Sequence, residues 1–115
     1  MEYVLFALPI QPGKDSQARQ FLHELEHQRK EQYARSERRL GIPEEVWALQ
    51  QLPSGLAYVV YFKSGNIGAA FQSFAQSQDE FDRWFKQQVK ETTGLDLNEP
   101  PAAAPSEIVS VYSQS

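Results

Sequence analysis

The stretch LAYVVYF, residues 56–62, decides the fold of this chain because it is apolar on both faces of a strand. Successive side chains of a β-strand point to opposite faces of its sheet. One face therefore carries Leu56, Tyr58, Val60 and Phe62, and the other carries Ala57, Val59 and Tyr61. Such a strand must be covered on both sides, so it predicts helices on one face of the sheet and a second apolar layer on the other.

Three further runs have the composition of strands. VWALQQL at 46–52 is separated from the strand at 56–62 by PSG, which is the sequence form of an antiparallel hairpin. YVLFALPI at 3–10 and EIVSVYS at 107–113 are apolar runs that predict a first and a last strand.

Helical patterns fill the two long intervals between these strands. The first predicts one helix of about 25 residues, which begins near Asp15 and Ser16 and ends at Gly41. After the third strand, Asn66 predicts the cap of a short helix.

The short helix is followed by a longer one. Ser77 and Glu80 have the spacing of a capping box for a helix that contains FDRWFKQQV, residues 81–89, and ends at Gly94.

The order strand, helix, strand, strand, helix, strand predicts an α+β, ferredoxin-like βαββαβ fold, in one domain over residues 1–115. Its four-stranded antiparallel sheet would have the helices on one face. Burying about eight apolar side chains of the other face would contribute roughly 10 to 20 kcal/mol, against about 4 to 15 kcal/mol for association. We therefore expect a homodimer whose two sheets pack face to face.

Composition excludes several classes of protein. The net charge of −4 argues against nucleic-acid binding, although residues 14–40 carry seven basic and five acidic side chains and could favour an anionic ligand. The chain has no cysteine, which excludes disulfides and thiolate metal sites. The apolar run at 3–10 is too short for a membrane span and lacks the basic start of a signal peptide, so we expect a cytoplasmic protein. Only NEPPAAAPS, residues 98–106, has the bias of a loop.

HELEH at 23–27 matches the H-E-x-x-H signature of zinc hydrolases. On a helical wheel, however, Phe21 and Leu25 lie in the apolar stripe, whereas His23 and His27 fall about 150° to 190° from its centre. The two histidines should face away from the sheet, and no third histidine exists to complete a site. We expect no metal and no cofactor.

Beyond Leu25, the inward face of the first helix becomes polar, with Arg29, Tyr33 and Ser36. Either the helix overhangs the sheet, or it roofs a polar cavity. In the second interpretation Trp47 and Trp84 would join these three residues as a candidate small-molecule site. No catalytic constellation is visible, so any catalytic residue is unknown.

The element order and the doubly apolar strands resemble the dimeric α+β barrel superfamily, which includes antibiotic-biosynthesis and haem-degrading monooxygenases. LPIQPGK at 8–14, RRLGI at 38–42 and FDRWFKQQV at 81–89 are similar to an uncharacterised bacterial family within it, over essentially the whole chain. The resemblance implies a cavity between sheet and helices, with Trp47 or Trp84 as a wall. The outward histidines depart from haem-degrading members, so haem ligation is not carried over.

Three functions are consistent with these residues. The first is a homodimer that binds a small organic or anionic molecule between helices and sheet. The second is an enzyme, namely a cofactor-independent monooxygenase or isomerase. The third is a structural or interaction dimer without catalysis.

Overall fold

The computed structural model describes residues 1–99 and 105–114 of the 115-residue chain. In this part of the chain, a three-stranded antiparallel sheet is covered by helices on one face. The strands are β1 (Glu2–Pro9), β2 (Glu44–Leu52) and β3 (Gly55–Ser64), and the helices are α1 (Asp15–Glu26), α2 (Lys30–Leu40), α3 (Ile67–Gln76) and α4 (Glu80–Thr93). Most of the proline-rich loop expected at 98–106 lies outside the described residues.

The sheet has the order β1-β3-β2, with β3 in the centre and antiparallel to both neighbours. The hairpin predicted around PSG is confirmed, since Leu52 pairs with Gly55 across the turn. The predicted alternation in β3 is confirmed on the helix side, where its large side chains are at most 4% exposed. We call the opposite side of the sheet the outer face; it carries Tyr3, Leu5, Ala7, Val46, Ala48, Val59 and Tyr61.

The long helix predicted from residue 15 to residue 40 is divided in two by a turn at 27–29. His27 leaves the helical region with φ −116° and ψ −85°, and the Arg29 amide donates to the Glu24 carbonyl five residues back. The helical pattern then resumes, and the Tyr33 amide donates to the Arg29 carbonyl. The polar side of α2 faces α4 and β2, since Ser36 bonds to Asp82 and Tyr33 bonds to Glu45.

The helix ends follow the sequence with two exceptions. At the start of α1, Lys14 occupies the N-cap position, where Asp15 or Ser16 was expected to cap the helix. Gly41 and Gly94 end α2 and α4 in the left-handed conformation, and the Asn66 side chain accepts from the Ala69 amide at the start of α3. The side chain that caps α4 is Asp79 and not the expected Ser77. In the described part of the chain, no helix has both the length and the apolar character needed to cross a bilayer.

The fourth strand predicted at 107–113 is not formed in this single chain. Residues 105–114 have no regular secondary structure, and the Ser106 amide donates to the Leu5 carbonyl of β1 at 2.7 Å. The large apolar side chains that should line the strand stay exposed. The four-stranded sheet is therefore not completed by these residues in isolation.

Candidate functional site

Aromatic packing fills the centre of the interface between helices and sheet. Phe21 of α1 contacts four rings, with centroid distances from 5.1 to 6.2 Å: those of Trp47, Tyr58, Trp84 and Phe85. Most of these contacts are edge-on, which is a favourable arrangement for aromatic pairs. Phe21 thus contacts both tryptophans of the sequence-predicted site.

Arg29 is held against the outside of this aromatic cluster. Its guanidinium lies 4.2 Å from the centroid of the Trp84 ring, close enough for a cation–π interaction. The same group donates to Gln32 at 3.0 Å and to Glu80 at 3.2 Å. With its side chain 23% exposed, Arg29 connects the start of α2 with the start of α4.

Ser36 belongs to a buried polar network that the sequence did not predict. Its hydroxyl donates to Asp82 at 2.6 Å, and the Ser77 hydroxyl donates to the other oxygen of the same carboxylate at 2.6 Å. The Arg39 guanidinium pairs with that carboxylate as well. Asp82 is fully buried, so these three donors compensate for removing its charge from water.

Tyr33 takes part in a second polar network, at the other side of α2. Its hydroxyl donates to Glu45 at 2.6 Å, and the indole N–H of Trp47 donates to the same carboxylate oxygen at 2.8 Å. Glu45 and Trp47 stand two residues apart on β2 and therefore share the face that the helices cover. Burial, and then the charge of Glu45, raises the pKa of Tyr33 above its usual value, so the phenol stays a donor.

The carboxyl group of Glu37 adjoins that of Glu45. Burial, followed by the charge of Glu45 and a hydrogen bond to it, raises the pKa of Glu37 to about 10. Burial raises the pKa of Glu45 too, and the hydrogen bonds from Tyr33, Trp47 and Glu37 oppose that rise. Burial therefore favours the protonated form of both carboxyl groups, which titrate as a coupled pair. The buried Oε2 of Glu37 has no hydrogen-bond partner among the described residues.

These groups border a cavity of about 220 Å³ between α2 and β2, which we call the α2–β2 cavity. Glu26 and Lys30 lie exposed at its rim and pair with each other at 2.9 Å. The residues that line it are Glu26, Lys30, Tyr33, Ala34, Glu37, Ile42, Pro43 and Glu45. Its polar groups are the two carboxyl groups of Glu37 and Glu45 and the phenol oxygen of Tyr33. Its apolar surface comes from Ala34, Ile42 and Pro43.

Of the five sequence-predicted site residues, Tyr33 lines this cavity and Trp47 reaches it through Glu45. Arg29, Ser36 and Trp84 lie in other contacts, and a ligand-binding role for them stays a prediction. Sequence reasoning missed Glu37 and Glu45, although two signals were present. Glu45 has the same parity as Trp47 along β2, and Glu37 follows Tyr33 by four residues on α2.

The histidines of HELEH lie outside this site. His23 and His27 are exposed as predicted, with ring centroids 4.4 Å apart. Among residues 1–99 and 105–114, no three or more His, Cys, Asp or Glu side chains are grouped so that they could hold a metal ion.

The chain was compared with protein-family models, with curated proteins and with solved structures, and none of them matches it. The α2–β2 cavity and the outer face are the features of this chain that indicate a function.

Proposed function

We propose that this chain binds a small organic molecule in the α2–β2 cavity, and that it does so as a homodimer of the dimeric α+β barrel type in the cytoplasm. The observation that carries the ligand proposal is the half-buried set of Glu37, Glu45 and Tyr33, in which the buried Oε2 of Glu37 has no hydrogen-bond partner among the described residues. A buried acceptor without a donor costs roughly 1 to 3 kcal/mol, which a ligand that supplies the donor would recover.

The charges favour a ligand with a positive or hydrogen-bond-donating group. The carboxyl groups of Glu37 and Glu45 supply oxygen acceptors to the cavity, and Lys30, the one cation of the lining among the described residues, is already paired with Glu26. Of the basic residues at 14–40, Lys30 lines the cavity, and its ion pair with Glu26 leaves it less available to the expected anionic ligand. The volume of about 220 Å³ is below the roughly 300 to 1,000 Å³ of drug-sized sites. It suits a small primary amine, guanidinium or polyol.

Isothermal titration with matched small amines, polyols and carboxylates tests this proposal. We expect amines or polyols to bind and carboxylates of the same size to fail. Glu45→Gln should weaken binding at least about tenfold, since a charge-assisted hydrogen bond is worth roughly 1.5 to 3 kcal/mol. Tyr33→Phe tests the same cavity without changing its charge. Glu31→Gln, on an exposed position of α2 outside the cavity lining, is the matched control.

Proton-transfer catalysis is a second candidate function, and the carboxyl pair supports it. Neighbouring carboxyls whose protonation states differ are suited to the roles of base and acid. Glu45 would accept a proton from a carbon next to a carbonyl group, and Glu37 would return one. An isomerase of this kind should incorporate deuterium from D2O into its substrate, and Glu45→Gln should abolish that incorporation.

The outer face supports the homodimer. Tyr3 and Leu5 are each 37% exposed and Val46 is 51% exposed, and Tyr61 of β3 lies between Leu5 and Val46 on the same face of the sheet. A second copy related by a two-fold axis would cover them with the same apolar surface. Sedimentation velocity at micromolar concentration should give twice the mass of the chain. A dimer that binds none of the compounds would favour the structural or interaction role.

A further inference from the structure

The α2–β2 cavity brings two carboxyl groups together, and the one cation of its described lining is already engaged. Glu37 reaches the cavity from α2 and Glu45 from β2, and their carboxyl groups adjoin. The ammonium group of Lys30 lies 2.9 Å from the carboxylate of Glu26. Two carboxylates side by side repel each other, and burial penalises each charge further. The pair is therefore balanced by a proton that it retains.

The other ionisable groups that line the cavity keep their charge state near neutral pH. Burial raises the pKa of Tyr33 above its usual value, so the phenol stays protonated. The hydrogen bond from Lys30 holds the pKa of Glu26 below its usual value, so that carboxylate stays ionised. Among the described residues of the lining, the carboxyl pair is thus the group whose charge can change.

The elements packed behind the pair supply no positive charge that could replace the proton. From α4, the buried carboxylate of Asp82 adds negative charge near the pair and is itself engaged with Arg39. The phenol of Tyr58, on the helix side of β3, is hydrogen-bonded to Thr92. The helix α3 contains no ionisable side chain.

The hydrogen bonds of the pair leave an acceptor for a ligand. The Tyr33 hydroxyl and the Trp47 indole N–H both donate to the same oxygen of Glu45, Oε2, at 2.6 and 2.8 Å. The buried Oε2 of Glu37 has no partner among the described residues. A neutral donor could satisfy this oxygen, whereas a cation could also balance the carboxylate that forms when the proton leaves.

We propose that the ligand of the α2–β2 cavity is a small organic cation, with an ammonium or guanidinium group on a short chain, and that its entry displaces the proton held by Glu37 and Glu45. One O–H bond of the pair breaks, the proton passes to water, and the N–H groups of the ligand donate to the carboxylate. The net charge of the cavity is unchanged, so no uncompensated charge is buried. The proposal rests on the proposed function and narrows its ligand class, because a polyol cannot replace the charge of the proton.

Isothermal titration in two buffers measures the released proton. Propylamine and methylguanidine, with propane-1,3-diol as the neutral match, are titrated into the wild-type chain in phosphate and in HEPES, which differ in ionisation enthalpy. For the cations, the heats in the two buffers should differ by the amount that the release of about one proton per ligand requires. Their association constants should rise by up to about tenfold per pH unit between pH 6 and pH 8, since a proton lost at higher pH no longer opposes the cation. Any heat from the diol should be the same in both buffers.

Glu37→Gln separates the exchange from binding alone. The glutamine amide can donate to Glu45 but has no proton to release, so the variant should bind the cations with less than about half of the wild-type proton release. Glu31→Gln removes a carboxylate from an exposed position of α2 outside the lining and should release as many protons as the wild type.

The outcomes distinguish the exchange from the proposed function. Binding of a cation without proton release, or unchanged release in the Glu37 variant, would overturn the exchange and leave the ligand site standing. Binding of the diol alone would overturn the cation as the ligand. If amines, guanidines and polyols of this size all fail to bind at up to about 10 mM, both proposals are wrong.

Discussion

At the scale of single residues, the carboxyl pair links the stability of the fold to pH. Glu37 has a pKa of about 10 in the folded chain, against 4.5 for an ordinary glutamate. Between these values the unfolded chain has released a proton that the folded chain still holds. The contribution of Glu37 to the free energy of unfolding is therefore fully present below pH 4.5 and is lost as the pH rises towards 10.

Glu37→Gln should remove this dependence. The glutamine keeps a hydrogen-bond donor for Glu45 but cannot ionise, so the free energy of unfolding should fall less steeply between pH 5 and pH 9 than in the wild type. One proton accounts for at most about 1.4 kcal/mol per pH unit. Urea unfolding at several pH values measures the slope, with Glu31→Gln as the control. Identical slopes in all three proteins would show that Glu37 titrates normally.

Replacing Asp82 should be among the most destabilising substitutions in this chain. It is fully buried and accepts from Ser36, Ser77 and Arg39, so Asp82→Ala leaves several donors without an acceptor. We expect a loss of about 3 kcal/mol or more in chemical unfolding. Glu80 lies on α4 like Asp82, and its exposed carboxylate pairs with Arg29. Glu80→Ala should lower the free energy of unfolding by less than about 1 kcal/mol. Similar losses for the two variants would contradict the assigned role of Asp82.

Single residues show where the sequence pattern was informative and where it was not. The wheel directed Tyr33 and Ser36 inward, and both are indeed engaged there. It could not identify their acceptors, because Glu45 and Asp82 come from β2 and α4, which are distant in sequence. Polar residues in an apolar pattern indicate that partners exist, whereas tertiary packing decides which ones.

At the scale of elements, strands and caps were predictable because their signals are local. PSG between two apolar runs specifies a hairpin, and the glycines at 41 and 94 meet the need for a left-handed residue after a helix. The turn at 27–29 has no such signal, since neither glycine nor proline occurs there. The turn is visible only in the backbone, where the Arg29 amide donates to the Glu24 carbonyl and His27 leaves the helical conformation.

The end of α3 depends on one lysine from another helix. Lys86 of α4 is buried, and its ammonium group donates to the carbonyls of Phe74, Ala75 and Ser77 at 2.9 to 3.3 Å. The last carbonyls of a helix have no partner within the helix, so this side chain supplies the missing donors.

Lys86→Met should therefore loosen α3 more than the rest of the fold. The methionine retains most of the apolar stem but leaves these carbonyls without the ammonium donor, at a cost of roughly 1 to 3 kcal/mol. Hydrogen exchange should show faster exchange of the α3 amides, with β3 less affected. Lys90→Met, at an exposed position of α4, should leave α3 unchanged. Uniformly faster exchange across the sheet would argue against a local role of Lys86.

At the scale of the whole molecule, the two faces of the sheet differ in what the chain supplies to cover them. Helices cover one face, as the alternation in residues 56–62 predicted. The other face was predicted to be apolar, and it is, with Tyr3, Leu5 and Val46 still exposed. A periodic pattern reports which side chains share a face, but it carries no information on whether the cover comes from the same chain or from another. The fourth strand predicted at 107–113 is not formed among the described residues of this chain, and its place in a four-stranded sheet stays a prediction.

Val46→Glu tests whether a second copy of the chain covers the outer face. Val46 is 51% exposed in the single chain, so a glutamate there should hardly change the stability of the monomer. In a two-fold interface every substitution occurs twice, and two buried carboxylates should weaken the dimer at least about 100-fold. The wild-type melting temperature should rise with protein concentration, and that of the variant should not. Gln20→Glu, on an exposed position of α1, should behave as the wild type. A variant that dimerises as tightly as the wild type would mean that the outer face is not the interface.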